Sequence, residues 1–417
     1  MKTIKKITSL AIMLTVFAVA AGQTFAAFEA INDTTGADSI NNVLATEKND
    51  FVNVSNSSAN VGDFAIGIGN TGLDSVDYNT GAGNADTGDV VTAGDFTNCV
   101  GVSTVDYYDD WDGDFTAMNN TTGAKSENTA NASLNNDIKV KNSSSAFVDN
   151  FILGIGNTGL NSASYNTGEG EVETGEVLAG ASESNAVNLN YTMITLEIDE
   201  FNTEVANEYT GAESENTATA RVNNDVAVKN DNEADVDNVA FVIANTGLNS
   251  ADYNTGQGTV VTDIAETDVE IINGVNYNET NIAIDIADAE INVANDTTGY
   301  KSENTATARV NNDVAVKNDN KADVDNIGVS VSNSGLNSAD YNTGAGEVQT
   351  GKADADTVID NEVNINLTDI EIDMEDTEIS ASNDTTGAES ENTAIARVNN
   401  DVAVKNDNEA DVDNIGV

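Results

Sequence analysis

Residues 217–238 read TATARVNNDVAVKNDNEADVDN, and the same letters return at 305–326 with a single change, Lys321 for Glu233. They return again at 393–414, with Ile395 where Thr219 stands. Arg221, Arg309 and Arg397, the three Arg of the chain, all occupy one slot of this block. Working outward, the Gly of a Thr-Gly step recurs at Gly36, Gly123, Gly211, Gly299 and Gly387, with gaps of 87, 88, 88 and 88. An Asn-(Thr/Ser)-Gly-Leu step begins at Asn70, Asn157, Asn245 and Asn333, with gaps of 87, 88 and 88. Self-similarity at a fixed long period signals a repeat architecture. The chain divides into a lead-in with the first repeat at 27–122, repeats at 123–210, 211–298 and 299–386, and a partial fifth at 387–417.

Inside a unit the hydrophobic pattern has period two. Val226 and Val228, then Ala234 and Val236, alternate with Asp, Lys and Asn, and Phe241 and Ile243 read as continuing the same stripe. Later in the unit Ile282, Ile284 and Ile286 alternate with other residues, as do Ile194, Leu196 and Ile198, and Ile370, Ile372 and Met374. That alternation is a half-buried strand. Beyond the N-terminal segment nothing sustains a helical stripe, so the fold class is all-β.

Two architectures fit. In a repetitive β-solenoid, side chains stack in ladders and Asn amides bond to the Asn above and below. Proline is absent where roughly twenty would be ordinary at this length, as expected when nearly every N–H is paired. Thr-Gly steps at Gly159, Gly168 and Gly175, spaced nine and seven apart, suggest short coils. At about 18 residues per coil the array would hold roughly 21 coils and extend about 100 Å along its axis. The alternative is a tandem array of about 88-residue β-sandwich domains. Such arrays carry linker prolines and a repeated core Trp, whereas Trp111 occurs in one unit only.

The 417 residues include 71 Asp+Glu, 16 Lys+Arg, no His and one Cys, for a formal charge of −55. So acidic a chain repels nucleic-acid phosphates and anionic membranes. Without His, imidazole triads and His-ligated zinc are excluded, and Cys99 has no intrachain disulfide partner. The 39% hydrophobic content is patterned, which argues against disorder. Residues 1–26 read as a secretory signal peptide, with basic Lys2, Lys5 and Lys6, an apolar run from Ile7 to Ala21, and a small-residue cleavage site ending at Ala26. Cleavage removes three Lys and no acid, leaving 71 acids against 13 bases, or −58. No later apolar run is long enough for a transmembrane helix.

Candidate chemistry concentrates in D-N-E-A-D-V-D-N at 231–238. Asp235 and Asp237 point to one side of a strand with Val236 on the other, and Asp323, Asp325, Asp411 and Asp413 are their copies. Paired carboxylates with Asn carbonyls are hard oxygen ligands suited to Ca²⁺, although the spacing matches neither a 12-residue calcium loop nor a calcium β-roll. Lys321 breaks the acidic pattern in one copy. No other cofactor is expected. Tyr78, Tyr165, Tyr253 and Tyr341 hold equal places; they read as covers over the interior, with a sugar-stacking platform as the functional alternative. Leu73, Leu160, Leu248 and Leu336 read as core. Repetition copies every carboxylate pair, so an asymmetric catalytic centre, such as that of a polysaccharide-cleaving β-helix, is disfavoured and we expect no enzyme. Cys99 aligns with Ala186 and Gly274 and reads as a tolerated small residue. Asn295 and Asn383 begin glycosylation sequons. Residues 264–294 and 352–382 have diverged, which marks a candidate contact surface.

The recurring N-T-G-L-N-S-A-D-Y-N-T-G-x-G and T-G-A-x-S-E-N-T-A segments resemble the Asn/Thr/Gly-rich repeats of bacterial and archaeal β-strand repeat cell-surface proteins. The resemblance covers residues 31–417. It implies an exported, surface or adhesin-like role and transfers no catalytic residue. The sequence opens on the end of a unit and stops 30 residues into a new one. Either it is an incomplete reading frame, the reading we favour, or the last repeat leaves an edge for self-association. Together these features anticipate a secreted or surface-displayed spacer, adhesin stalk or envelope component with a cell-surface or glycan partner, and otherwise a calcium-dependent binding module.

Overall fold

The alternation at 215–245 becomes one uninterrupted strand of 31 residues, Glu215–Asn245, whose inner and outer sides alternate along its whole length. A computed structural model describes residues 16–22 and 28–417 of the protein, all strand and corner. The basic residues and cleavage site of the anticipated signal peptide lie outside the described residues; Val16–Gly22 pairs in parallel with Thr104–Asp110. After the long strand the third repeat continues through Leu248–Ser250, Gly258–Thr262, a 23-residue return strand Ala265–Ala287, and a closing strand Glu290–Asp296. Each lies in parallel against its own copy one repeat away, Glu215 against Glu303 through Asn245 against Asn333.

The fold is therefore a β-solenoid, but one coil is a whole repeat. The expectation of about 18 residues per coil fails. The Thr-Gly steps are corners within one rung: Gly256 N–H donates to Gly168 O at 2.8 Å, and Gly168 N–H to Gly81 O at 3.0 Å. Segments between corners stack on their own copies rather than on the preceding segment. Five long strands, Ile40–Asn70, Glu127–Asn157, Glu215–Asn245, Glu303–Asn333 and Glu391–Gly416, form one sheet. At about 4.8 Å per rung that stack rises only about 20 Å, while a 31-residue strand spans roughly 100 Å. The long dimension thus runs along the strands, not along the stacking axis.

Long and return sheets pack face to face. Val226 and Val228 meet Ile282, Ile284 and Ile286 in the largest apolar cluster. Ala234 and Val236 pack near Val275, and Ala240, Val242 and Ala244 near Val269 and Ile271. The largest cluster includes Val140, Val228 and Val316 from three successive rungs, so the interior is continuous and the array of separate sandwiches is excluded. Strict alternation corrects one reading: Val242 is buried, whereas Phe241 and Ile243 face outward.

Between the apolar segments the interior is zipped by Asn. Asn238, fully buried, donates through Nδ2 to Asn326 Oδ1 at 2.8 Å and across the sandwich to Asn273 Oδ1 at 3.0 Å. Its own Oδ1 accepts from Asn150 at 2.8 Å and from Asn185 at 2.9 Å. Both donors and both lone pairs are used, which is what makes a buried primary amide tolerable. Asn142, Asn230, Asn318 and Asn406 form another such column, with steps of 2.8, 2.7 and 2.8 Å.

Close stacking also dictates glycine at one corner. Gly159, Gly247 and Gly335 have φ of +93°, +89° and +93°, and a Cβ on Gly247 would collide with the carbonyl oxygen of Gly159 in the adjacent rung. Another corner absorbs the single-residue deficit of the first repeat. Three residues separate Trp111 from Phe115 but four separate the register partners Ile198 and Thr203, so the offset changes from 87 to 88 without turning any strand over.

If the amide zipper is obligatory, Asn238→Ala, which takes one hydrogen bond from each of Asn150 Nδ2, Asn185 Nδ2, Asn273 Oδ1 and Asn326 Oδ1, will cost roughly 2–4 kcal/mol. Asp235→Asn on the outer face of the same strand will change stability by less than about 0.5 kcal/mol. Urea unfolding midpoints of the two variants provide the comparison.

Candidate functional site: ladders on the outer face

In-register pairing converts each outward residue into a row of its copies. Asp235 stacks with Asp323 and Asp411, and on the other side with Phe147 and Asn60. Asp149, Asp237, Asp325 and Asp413 form the neighbouring row. Asp235 and Asp237 share the outer face and Val236 is buried, as the sequence implies. Successive carboxylates in a row are separated by one strand spacing, about 4.8 Å. Partial burial, then repulsion from Asp323 and Glu233, raises the Asp235 carboxyl above its ordinary range. Burial followed by Asp235 and Asp325 does the same to Asp237, and Asp325 is raised likewise by burial and then Asp323 and Asp413. The carboxylates are thus brought into parallel rows. Among the described residues no three Asp, Glu or Cys side chains converge as a ready metal cage.

Cations interrupt this field at fixed places. Lys229 Nζ reaches Asp231 at 2.9 Å and Lys317 reaches Asp319 at 3.0 Å. Such exposed pairs add little individually. Lys321, which breaks the acidic motif, lies in register between Glu233 and Glu409. Its position relieves a like-charge row, a purpose visible only once the register is known.

The tyrosines form the most regular ladder. Ring centroids of Tyr78, Tyr165, Tyr253 and Tyr341 are 4.8 Å apart at each step, with interplanar angles of 7°, 4° and 6°. Their φ values of +59°, +59°, +57° and +55° place bulky residues in the left-handed region, at a cost of about 1–2 kcal/mol each. Mutual stacking offsets that strain. The rings are exposed, so they do not cover the interior, and their faces are occupied by one another, so a sugar could stack only at the ends of the row. Leu73, Leu160, Leu248 and Leu336 are likewise exposed rather than core, because the corner after Asn245 turns them outward.

Other sequence candidates fall as follows. Cys99 pairs in register with Ala186, which pairs with Gly274; burial raises its thiol pKa, disfavouring the thiolate. Asn295 is fully buried and donates to Asn383 at 2.8 Å, which removes it as a glycan acceptor in the folded chain. The diverged segment 264–294 is half interior: Ile271 and Ile284 are buried, while Glu270 and Asp285 line its outer side. Trp111 and Asp109 of the unique acidic run are also buried.

One notable group was not singled out by sequence reading. Glu183 lies inside the sandwich, 1% exposed, where the adjacent rungs place Phe96 and Ile271. Neither carboxylate oxygen has a hydrogen-bond partner. Burial raises its pKa from 4.5 to about 8. Its signal in the sequence was an acid in phase with Ala179 and Ala181 on the inner stripe. No protein-family model, curated protein or solved structure matches the chain. No helix among the described residues is long and apolar enough to cross a membrane.

Folding must keep Glu183 protonated to well above its ordinary pKa, so its contribution to stability falls as pH rises from 4.5 towards 8. Glu183→Ile, matching Ile271, will therefore stabilise the protein by an amount that grows across that window, to a few kcal/mol near neutrality. Equal unfolding free energies of wild type and variant at pH 4 and pH 7.5 would show that the group is solvated.

Proposed function

We propose that this is an exported, non-catalytic structural protein of the cell envelope or exterior, displaying flat ladders of identical side chains. The observation that carries the reading is the in-register stack. Adding 88 residues extends the axis by only about 4.8 Å, so repeats do not lengthen a stalk or spacer; they widen a two-sheet bar about 100 Å long and about 20 Å across the stack. An acidic exterior keeps such a body soluble and repels nucleic acid and anionic lipid. The N-terminal Lys-rich and apolar segment supports export. In the producing cell, the exported chain is expected to begin at Ala27 and to be accessible to added protease. Recovery only from the cytoplasm with Met1 or its neighbours intact would sink this reading.

The stacked Asp235 and Asp237 rows favour a second reading, in which Ca²⁺ bridges carboxylates of successive rungs. Divalent binding to the native state raises its stability by mass action. Millimolar Ca²⁺ is expected to raise the melting temperature by roughly a few degrees over Na⁺ at equal ionic strength. Replacing the six Asp of 235, 237 and their later copies by Asn will abolish that difference. An equal response to both salts would leave only screening.

A further inference from the structure

The outer face of the long sheet is not uniformly polar. At its C-terminal end three adjacent outward rows, running through Val239, Phe241 and Ile243, hold only Phe, Ile, Leu and Val in the first four rungs, and Ile415 and Val417 continue the first two rows into the fifth. In the first rung Phe64, Ile66 and Ile68 are 69%, 52% and 69% exposed. Phe64 stacks on Phe151 at 5.2 Å. This is a flat apolar field on the reverse side of the buried core, and contiguous exposed patches of this kind mark contact sites. We propose that a second copy of this chain covers it, the two long sheets packing face to face about a two-fold axis parallel to the stacking direction and over the Phe241 row.

Charge selects that orientation. The acidic Asp237 row borders the field on one side and the Asn245 row borders it on the other. A two-fold along the stacking axis reverses the strands, so the Val239 row meets the partner's Ile243 row and the Asp237 row meets amide side chains. An axis parallel to the strands would instead set the Asp237 carboxylates against each other. Area is consistent with a stable pair. The rows from Asp237 to Asn245, at about 6.7 Å spacing, run over five rungs for the first three and four for the last two and cover roughly 740 Å² per copy, close to the standard for a specific interface. Anionic lipid is a poor occupant beside the Asp rows, and further rungs would enlarge the field without changing the argument.

Sedimentation of the full mature chain in physiological salt tests this directly, with a dimer expected. Phe241→Asp together with Ile155→Asp, both on outward and partly exposed positions, should raise the dimer dissociation constant roughly 100-fold or more, with the circular dichroism spectrum of the monomer retained. Should those variants misfold, single cysteines in a Cys99→Ser background decide instead. Phe241→Cys should form an interchain disulfide under mild oxidation, Ile243→Cys alone should not, and a mixture of Val239→Cys and Ile243→Cys chains should. A wild type that remains monomeric well above micromolar concentration overturns the proposal. So does self-linking of Ile243→Cys as readily as Phe241→Cys, or flotation of a monomeric chain with zwitterionic phosphatidylcholine vesicles.

Discussion

Parallel pairing of each long-strand residue with the residue one repeat later is the constraint on which the rest of this protein depends. It forces like to lie on like. For Asn this is favourable, since an amide carries as many donors as acceptors and can close a column on itself and on the facing column. For Val, Ile and Ala it gives layers of matched volume. Rings at a corner become a stack. Carboxylates gain nothing from it and repel, so apart from the buried Asp109 and Glu183 the described ones lie at partly or fully exposed positions, where water and counter-ions screen them. Absence of proline follows from the same rule, because a missing N–H would interrupt a sheet in the middle of its ladder.

The inner and outer faces therefore solve different problems. Inside, the amide columns close into networks, with Asn238 and Asn273 as the clearest pair, while several interior hydroxyls, among them Thr92 and Thr203, have no hydrogen-bond partner. Glu183 is the ionisable exception: both of its carboxylate oxygens are without a hydrogen-bond partner, between the Ala181 row and the Asn185 column. Outside, basic residues are placed where the register needs them, as Lys321 between two glutamates illustrates.

Much of this was legible in the sequence, and the limits were physical. Period two and the 88-residue repeat identified an all-β stacked fold, and Asn enrichment pointed to amide ladders. The side of the strand carrying Asp235 and Asp237 followed from alternation alone. Coil size did not, because Gly-rich corners inside a rung use the same residues as turns between coils. Alternation from Val236 also puts Phe241 and Ile243 outward, on the side of Asp235 and Asp237; grouping them with the inner stripe follows their hydrophobicity and ignores their phase. Leu248 was misplaced for a related reason: hydrophobicity says nothing about direction at a corner. The Asp rows were anticipated as residues, while their arrangement in lines rather than a pocket required the register.

The single-residue deficit between Trp111 and Phe115 shows how such a chain can change. An insertion inside a strand would swap the wet and dry sides of the rest of that strand against its neighbours above and below, whereas one at a bend disturbs nothing beyond that bend. Tandem near-identical units also invite misaligned exchange between gene copies, which deletes or adds a layer whole. Evolution can then widen or narrow the sandwich in complete steps while its lattice of contacts stays the same.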